Sequence, residues 1–152
     1  VQKIKSFVLG GHGDTMVALL GSTKVEGKNI LDLVKKGKIS KEKLHQLVER
    51  TKNGGAEIVK HLKTGSAFYA PAASGVEMAE SYLNDLKKEL PCAAYLNGEY
   101  GTKGIYAGVP VIIGKNGVER IIEITLNEEE QNMFNHSVSA VKTLNDIVKR
   151  VV

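Results

Sequence analysis

The sequence predicts an α+β fold in which antiparallel strands pack against helices. Three observations carry that prediction. Apolar residues alternate with period two through most of Cys92 to Leu126, they recur at helical spacing through residues 40–90 and again after Asn127, and Asn116-Gly117 joins two of the alternating runs as a tight-turn dipeptide. The 152 residues suit one compact core, since a chain of this size buries about 70% of its unfolded surface.

In chain order, residues 4–9 (IKSFVL) and 16–20 (MVALL) read as two short strands around the glycine-broken segment GGHGDT, which is therefore a loop. Asn29 to Lys36 predicts a short helix stopped by Gly37. A longer helix opens at Ser40, a suitable N-cap, and places Leu44, Leu47, Val48, Thr51, Ile58, Val59 and Leu62 on one stripe, with a kink or close helix contact expected at Gly54-Gly55. Val76, Ala79, Leu83, Leu86 and Leu90 predict a third helix over about 75–90, closed by Pro91. Strands are expected in 92–100, 106–114 and 118–126. Asn127 then caps a last helix, with Glu130 placed to return the hydrogen bond and Phe134, Val138, Val141, Leu144, Val148 and Val151 forming its apolar seam.

Composition removes several classes of function. Hydrophobic residues make up 42% and charged residues 25%, which fits a soluble globular chain, and no apolar run approaches the ~20 residues of a membrane span. The opening VQKIKSFVLGG lacks the pattern of a secretory signal, and the single Cys92 fits a reducing compartment, so a cytoplasmic location is expected. The first residue is Val1 rather than Met, so the chain is expected to be a domain or fragment of something longer. The net charge of +4 concentrates in Lys35, Lys36, Lys38, Lys41 and Lys43. That patch holds no aromatic or Arg to stack on bases or fork onto phosphates, and it reads as a solvated surface rather than a nucleic-acid site.

Gly10-Gly11-His12-Gly13-Asp14 is the segment that asks for a chemical reading. Three glycines around one histidine strip away side-chain bulk, and an imidazole both donates and accepts protons near neutrality, so His12 fits a general acid/base. A tight turn whose histidine caps backbone groups fits the composition equally well. Asp14 is close enough to bond loop amides and less suited to orienting the ring. No GxSxG occurs for a serine hydrolase, and His45, His61 and His136 are scattered over expected helix surfaces with no metal-ligand spacing. Cys92 reads as a small buried hydrophobe rather than a nucleophile.

VLGGHGDTMV at 8–17 closely resembles the active-site histidine segment of the lactate/malate dehydrogenase family, in particular of the malate dehydrogenases built like lactate dehydrogenase. TGSAFYAPAASGVEMAESYL at 64–83 is similar to its substrate-side helix. YLNGEYGTKGIYAGVPVIIGKNGVERIIEITLNEEEQ at 95–131 is similar to its terminal strands and the start of its last helix. Three segments in the right order make the resemblance specific, although Ala18 stands where many relatives carry proline. It covers only the family's C-terminal, substrate-side half. No GxGxxG or βαβ unit is present to bind a dinucleotide.

The resemblance implies a domain of an NAD-dependent malate dehydrogenase, with malate and oxaloacetate as substrates and His12 as proton acceptor and donor. NAD would be held mainly by a Rossmann domain outside this chain. The family's imidazole-holding aspartate, carboxylate-gripping arginine and mobile-loop arginine are absent here too, so the chain alone would be inactive. The resemblance further implies that Gly10, Gly11 and Gly13 leave room for substrate and nicotinamide. Ser66 and Ala67 would line the substrate pocket, and no metal is implied. Gly11 favours malate over lactate, the lactate-type dehydrogenase being the neighbouring alternative. Family dimer contacts fall on segments matched here by 40–63 and 67–90. A homo-oligomer is therefore expected, and a non-catalytic oligomerisation module is the alternative from another functional class.

Overall fold

The computed structural model describes residues 3–151, so Val1 lies outside it. Its centre is a three-stranded antiparallel meander of β6 (Lys88–Asn97), β7 (Lys103–Gly114) and β8 (Gly117–Ile121), with β7 in the middle. Side chains alternate as period two requires. Leu90, Ala94 and Leu96 of β6 and Ile105, Ala107, Val109, Val111 and Ile113 of β7 are buried on one face, while Tyr95 and Tyr106 stand on the other. Helix α5 (Glu128–Val151) lays Phe134 and Val138 into the same core, alongside Leu9, Val17 and Leu19 of a short hairpin, β2 (Val8–Leu9) and β3 (Val17–Ala18). A small sheet of β1 (Ile4–Lys5), β4 (Lys24–Val25) and β5 (Lys28–Asn29) leads into α1 (Ile30–Lys35), α2 (Lys41–Lys52), α3 (Gly54–Leu62) and α4 (Tyr69–Leu83).

The caps expected at Ser40 and Asn127 form, and Asn29, expected as the first residue of the short helix, caps it. The side chains of Asn29 and Ser40 accept from the N–H groups of Leu31 and Lys43, and Asn127 and Glu130 form a reciprocal capping box at 2.9 and 3.1 Å. The Glu130 carboxylate, buried, also accepts from Gly21 N–H at 2.7 Å, which ties the start of α5 to the segment after β3.

Three expectations are corrected, and the kink expected at Gly54-Gly55 forms at Asn53, where the helix from Ser40 divides into α2 and α3 and the Asn53 N–H and side-chain amide both turn back to Glu49. Arg50 then clasps Glu57 across the junction at 2.8 Å. The third helix runs from Tyr69 to Leu83 rather than over 75–90, taking Pro71 into its first turn where a proline is tolerated, and Asp85 and Lys87 take positive φ. Buried Ser81 decides this register: its Oγ donates to Ile113 C=O at 2.7 Å and accepts from Lys88 N–H at 3.1 Å, starting β6 where helical spacing ran on to Leu90. Pro91 therefore closes no helix. It sits in edge strand β6 opposite Pro110, where its missing N–H faces away from the ladder.

The strand expected over 118–126 stops at Ile121 for a related reason. Ile122 N–H donates to Pro110 C=O at 2.8 Å, but Pro110 has no N–H to return. The Tyr100 hydroxyl substitutes, donating to Ile122 C=O at 2.7 Å and accepting from Ile124 N–H at 2.9 Å. The Asn116-Gly117 hairpin does form, with Lys115 and Asn116 as its two turn residues and Gly117 following at φ +86°.

Candidate active site

The GGHGDT segment connects β2 and β3, as expected, and the protein itself fills much of the space that the glycines leave. Gly10, at φ +85°, exchanges both backbone hydrogen bonds with Gly108 of β7, each 2.9 Å. A Cβ on Gly108 would stand 2.7 Å from the Gly10 carbonyl oxygen, and one on Gly10 would stand 2.3 Å from Ser137 Oγ. Gly11 faces the Thr15 hydroxyl in the same way, at 2.6 Å, and its N–H donates to Ser137 Oγ at 2.7 Å. Close packing of the loop on β7 and α5 thus accounts for glycine at 10, while at 11 the neighbour is the loop's own Thr15 side chain. At Gly13, which opens a 3₁₀ turn to Thr15, the space beyond is open.

His12 stands at the crest of this loop in extended backbone, with its side chain exposed. Among the described residues no hydrogen bond holds its ring. The cleft beside it, about 320 Å³, is lined by the loop backbone together with Met16, Cys92, Tyr106 and Val141. Cys92 lies 3.2 Å from the Met78 sulfur, and burial pushes its thiol above the ordinary range, so it offers no ready thiolate there. Asp14 is exposed and makes no hydrogen bond to the loop amides among the described residues. It borders a second, adjoining depression with Lys52, Asn132 and His136.

Ser66 and Ala67 precede α4, the first exposed and the second half-buried, and neither lines the His12 cleft. His45, His61 and His136 are exposed on α2, α3 and α5, and the five lysines from Lys35 to Lys43 all face solvent. A charge cluster stands outside the lining of the His12 cleft. Lys87 bonds Asp85 at 2.8 Å and Glu119 at 2.6 Å, holding both carboxyls below the ordinary carboxylate range, and those contacts raise its own ammonium.

Ser137 and Thr15 are the site residues that sequence reasoning missed. The available signal was a serine one position before Val138 on the seam of α5, where an apolar residue would otherwise pack.

A family model described as lactate/malate dehydrogenase, alpha/beta C-terminal domain, matches residues 1–152. The chain belongs to this family, as its C-terminal domain. The malate dehydrogenase of Pelagibacter ubique is 62% identical over 151 residues, 99% of this chain and 47% of that protein. The crystal structure of Cryptosporidium parvum malate dehydrogenase superposes with a TM-score of 0.93 at 43% identity, over 98% of this chain and 48% of that one. The lactate dehydrogenase of the same organism, complexed with lactic acid and nicotinamide adenine dinucleotide, gives 0.94 at 42% identity, over 97% and 47%. The chain spans about half the length of the curated relatives it matches.

Near-equal likeness to a malate and a lactate enzyme means that the fold does not choose the substrate. The described residues do not suit a dinucleotide. Every strand pair among them is antiparallel, and no glycine-rich turn leads from a parallel strand into a helix. No helix among them is long and apolar enough to cross a membrane.

Proposed function

We propose that this chain is the substrate-side domain of an NAD-dependent malate dehydrogenase, which interconverts malate and oxaloacetate in the cytoplasm. The reading is carried by an exposed histidine on a backbone-clamped loop beside a cleft, within a chain 62% identical to a malate dehydrogenase. In the oxidative direction neutral His12 accepts the proton of the C2 hydroxyl. In the reductive direction the imidazolium donates a proton to the carbonyl oxygen. The hydride belongs to the cofactor's chemistry, and NAD is assigned mainly to a Rossmann domain outside this chain. Gly11 borders the cleft and Gly13 faces open space, which lets the backbone approach the substrate, while Ser66 and Ala67, outside the cleft of this chain, are proposed to complete the pocket wall in the whole enzyme. The site needs no metal.

Two measurements test the proposal. In the full-length enzyme, His12→Asn is expected to cost about 10² to 10⁴ in rate, mainly in kcat and with little change in NAD binding. Near-normal kcat would return His12 to the role of a turn residue. This chain alone is expected to oxidise no malate and to bind NAD without saturation, and turnover by the pure chain would refute the assignment of NAD to another domain.

A further inference from the structure

We propose that Ser137 is a positioning residue for His12, the point through which helix α5 fixes where the imidazole stands. The inference rests on the reading of His12 as the proton-transfer group. Ser137 is wholly buried on the apolar seam between Phe134 and Val138, and its Oγ accepts the N–H of Gly11, the residue next to His12, at 2.7 Å. One residue earlier, Gly10 is held from the opposite side by its two 2.9 Å bonds to Gly108. The backbone leading into His12 is therefore pinched between β7 and α5, and a side chain at Gly10 would collide with Ser137 itself.

Among the described residues nothing else holds the ring, which is exposed and without a hydrogen bond. The clamp sets where the backbone presents the imidazole, and it acts beside any group outside this chain that holds the ring. Proton transfer depends steeply on such placement, and a displacement of about 1 Å costs on the order of 10²-fold. Ser137→Ala leaves the Gly11 N–H without its buried acceptor and lets the loop shift.

The test uses the full-length enzyme. Ser137→Ala is expected to lower kcat about 10- to 100-fold while KM for NAD changes less than about twofold. Ser137→Cys, which keeps the buried volume but offers a poor acceptor, is expected to give a similar loss and covers the case in which the alanine variant does not fold. Ser81→Ala is the control, because that serine is equally buried and joins two segments away from His12. It should lower Tm comparably and leave kcat unchanged.

The decisive reading is a double-mutant comparison. In a His12→Asn background, Ser137→Ala should change kcat by less than about twofold, since a residue acting through His12 has nothing left to position. An equal loss in both backgrounds, or a Ser81→Ala loss of kcat matching that of Ser137→Ala, would assign Ser137 a purely structural role and overturn the proposal. Retention of kcat by His12→Asn alone would instead overturn the reading of His12, so the two failures are distinguishable.

Discussion

The two halves of α5 carry the same apolar seam and have opposite fates. In the first half Phe134 and Val138 lie inside the core with Leu9, Leu96 and Val109, and the capping box fastens the helix to Gly21. In the second half Leu144, Ile147, Val148 and Val151 are more than half exposed. Periodicity identifies which face of a helix is apolar; whether this chain supplies the cover depends on what the fold brings opposite. Bare stripes also occur at Ile58, Leu62, Val76 and Leu83, on the segments proposed to hold the homo-oligomer contacts.

The contrast is sharpest in substitution energies. Phe134→Ala should cost about 3–5 kcal/mol in urea unfolding of this chain, as loss of a large side chain from a packed core does. Val148→Ala should stay within about 0.5 kcal/mol. A comparable loss at Val148 would mean that the distal half is covered in solution, and sedimentation at rising protein concentration would reveal by what.

The proximal half can be loosened without touching its apolar residues. Glu130→Ala removes the return arm of the capping box and leaves the N–H groups of Gly21 and Asn127 without their acceptor, an expected loss of about 2 kcal/mol. Glu128→Ala, one turn position away and exposed, should cost a few tenths at most. Equal effects would reduce Glu130 to a dipole partner and remove its role as a tether.

What was legible in the sequence follows the same division between local and distant causes. The loop around His12, the caps at Ser40 and Asn127 and the hairpin before Gly117 are set by residues close in sequence, and all form. The end of α4, the place of Pro91 and the end of β8 depend on Ser81 reaching Ile113 and on Tyr100 reaching Ile122, over 32 and 22 positions. No local pattern encodes those bonds, so the spacing of Leu83, Leu86 and Leu90 passed for helix. At the site, His12 was legible from composition. Ser137 shows in the sequence only as a serine beside the α5 seam, and its partner is not legible, because the Gly11 amide lies 126 positions away.

The smallest expected effect concerns a cluster that belongs to neither half of α5 and shows how little an exposed contact contributes beside a buried one. Lys87 joins Asp85, its neighbour in the turn after α4, to Glu119 of β8. Because both carboxyls are held below their ordinary range by Lys87, with the Lys115 N–H assisting at Asp85, their contribution is present above the unfolded values of about 4. It is lost as pH falls through the lowered folded values. The Lys87 ammonium is raised by the same partners, so its contribution is present below about pH 10 and is lost as pH climbs through its folded value. Lys87→Met should therefore flatten the dependence of Tm on pH at both ends. Added salt should mimic it, since all three side chains are solvated and screened. The expected change is smaller than that of Glu130→Ala. If Lys87→Met instead lowers Tm uniformly across pH, the lysine acts by packing its stem against the positive-φ turn, and the ion pairs add nothing measurable.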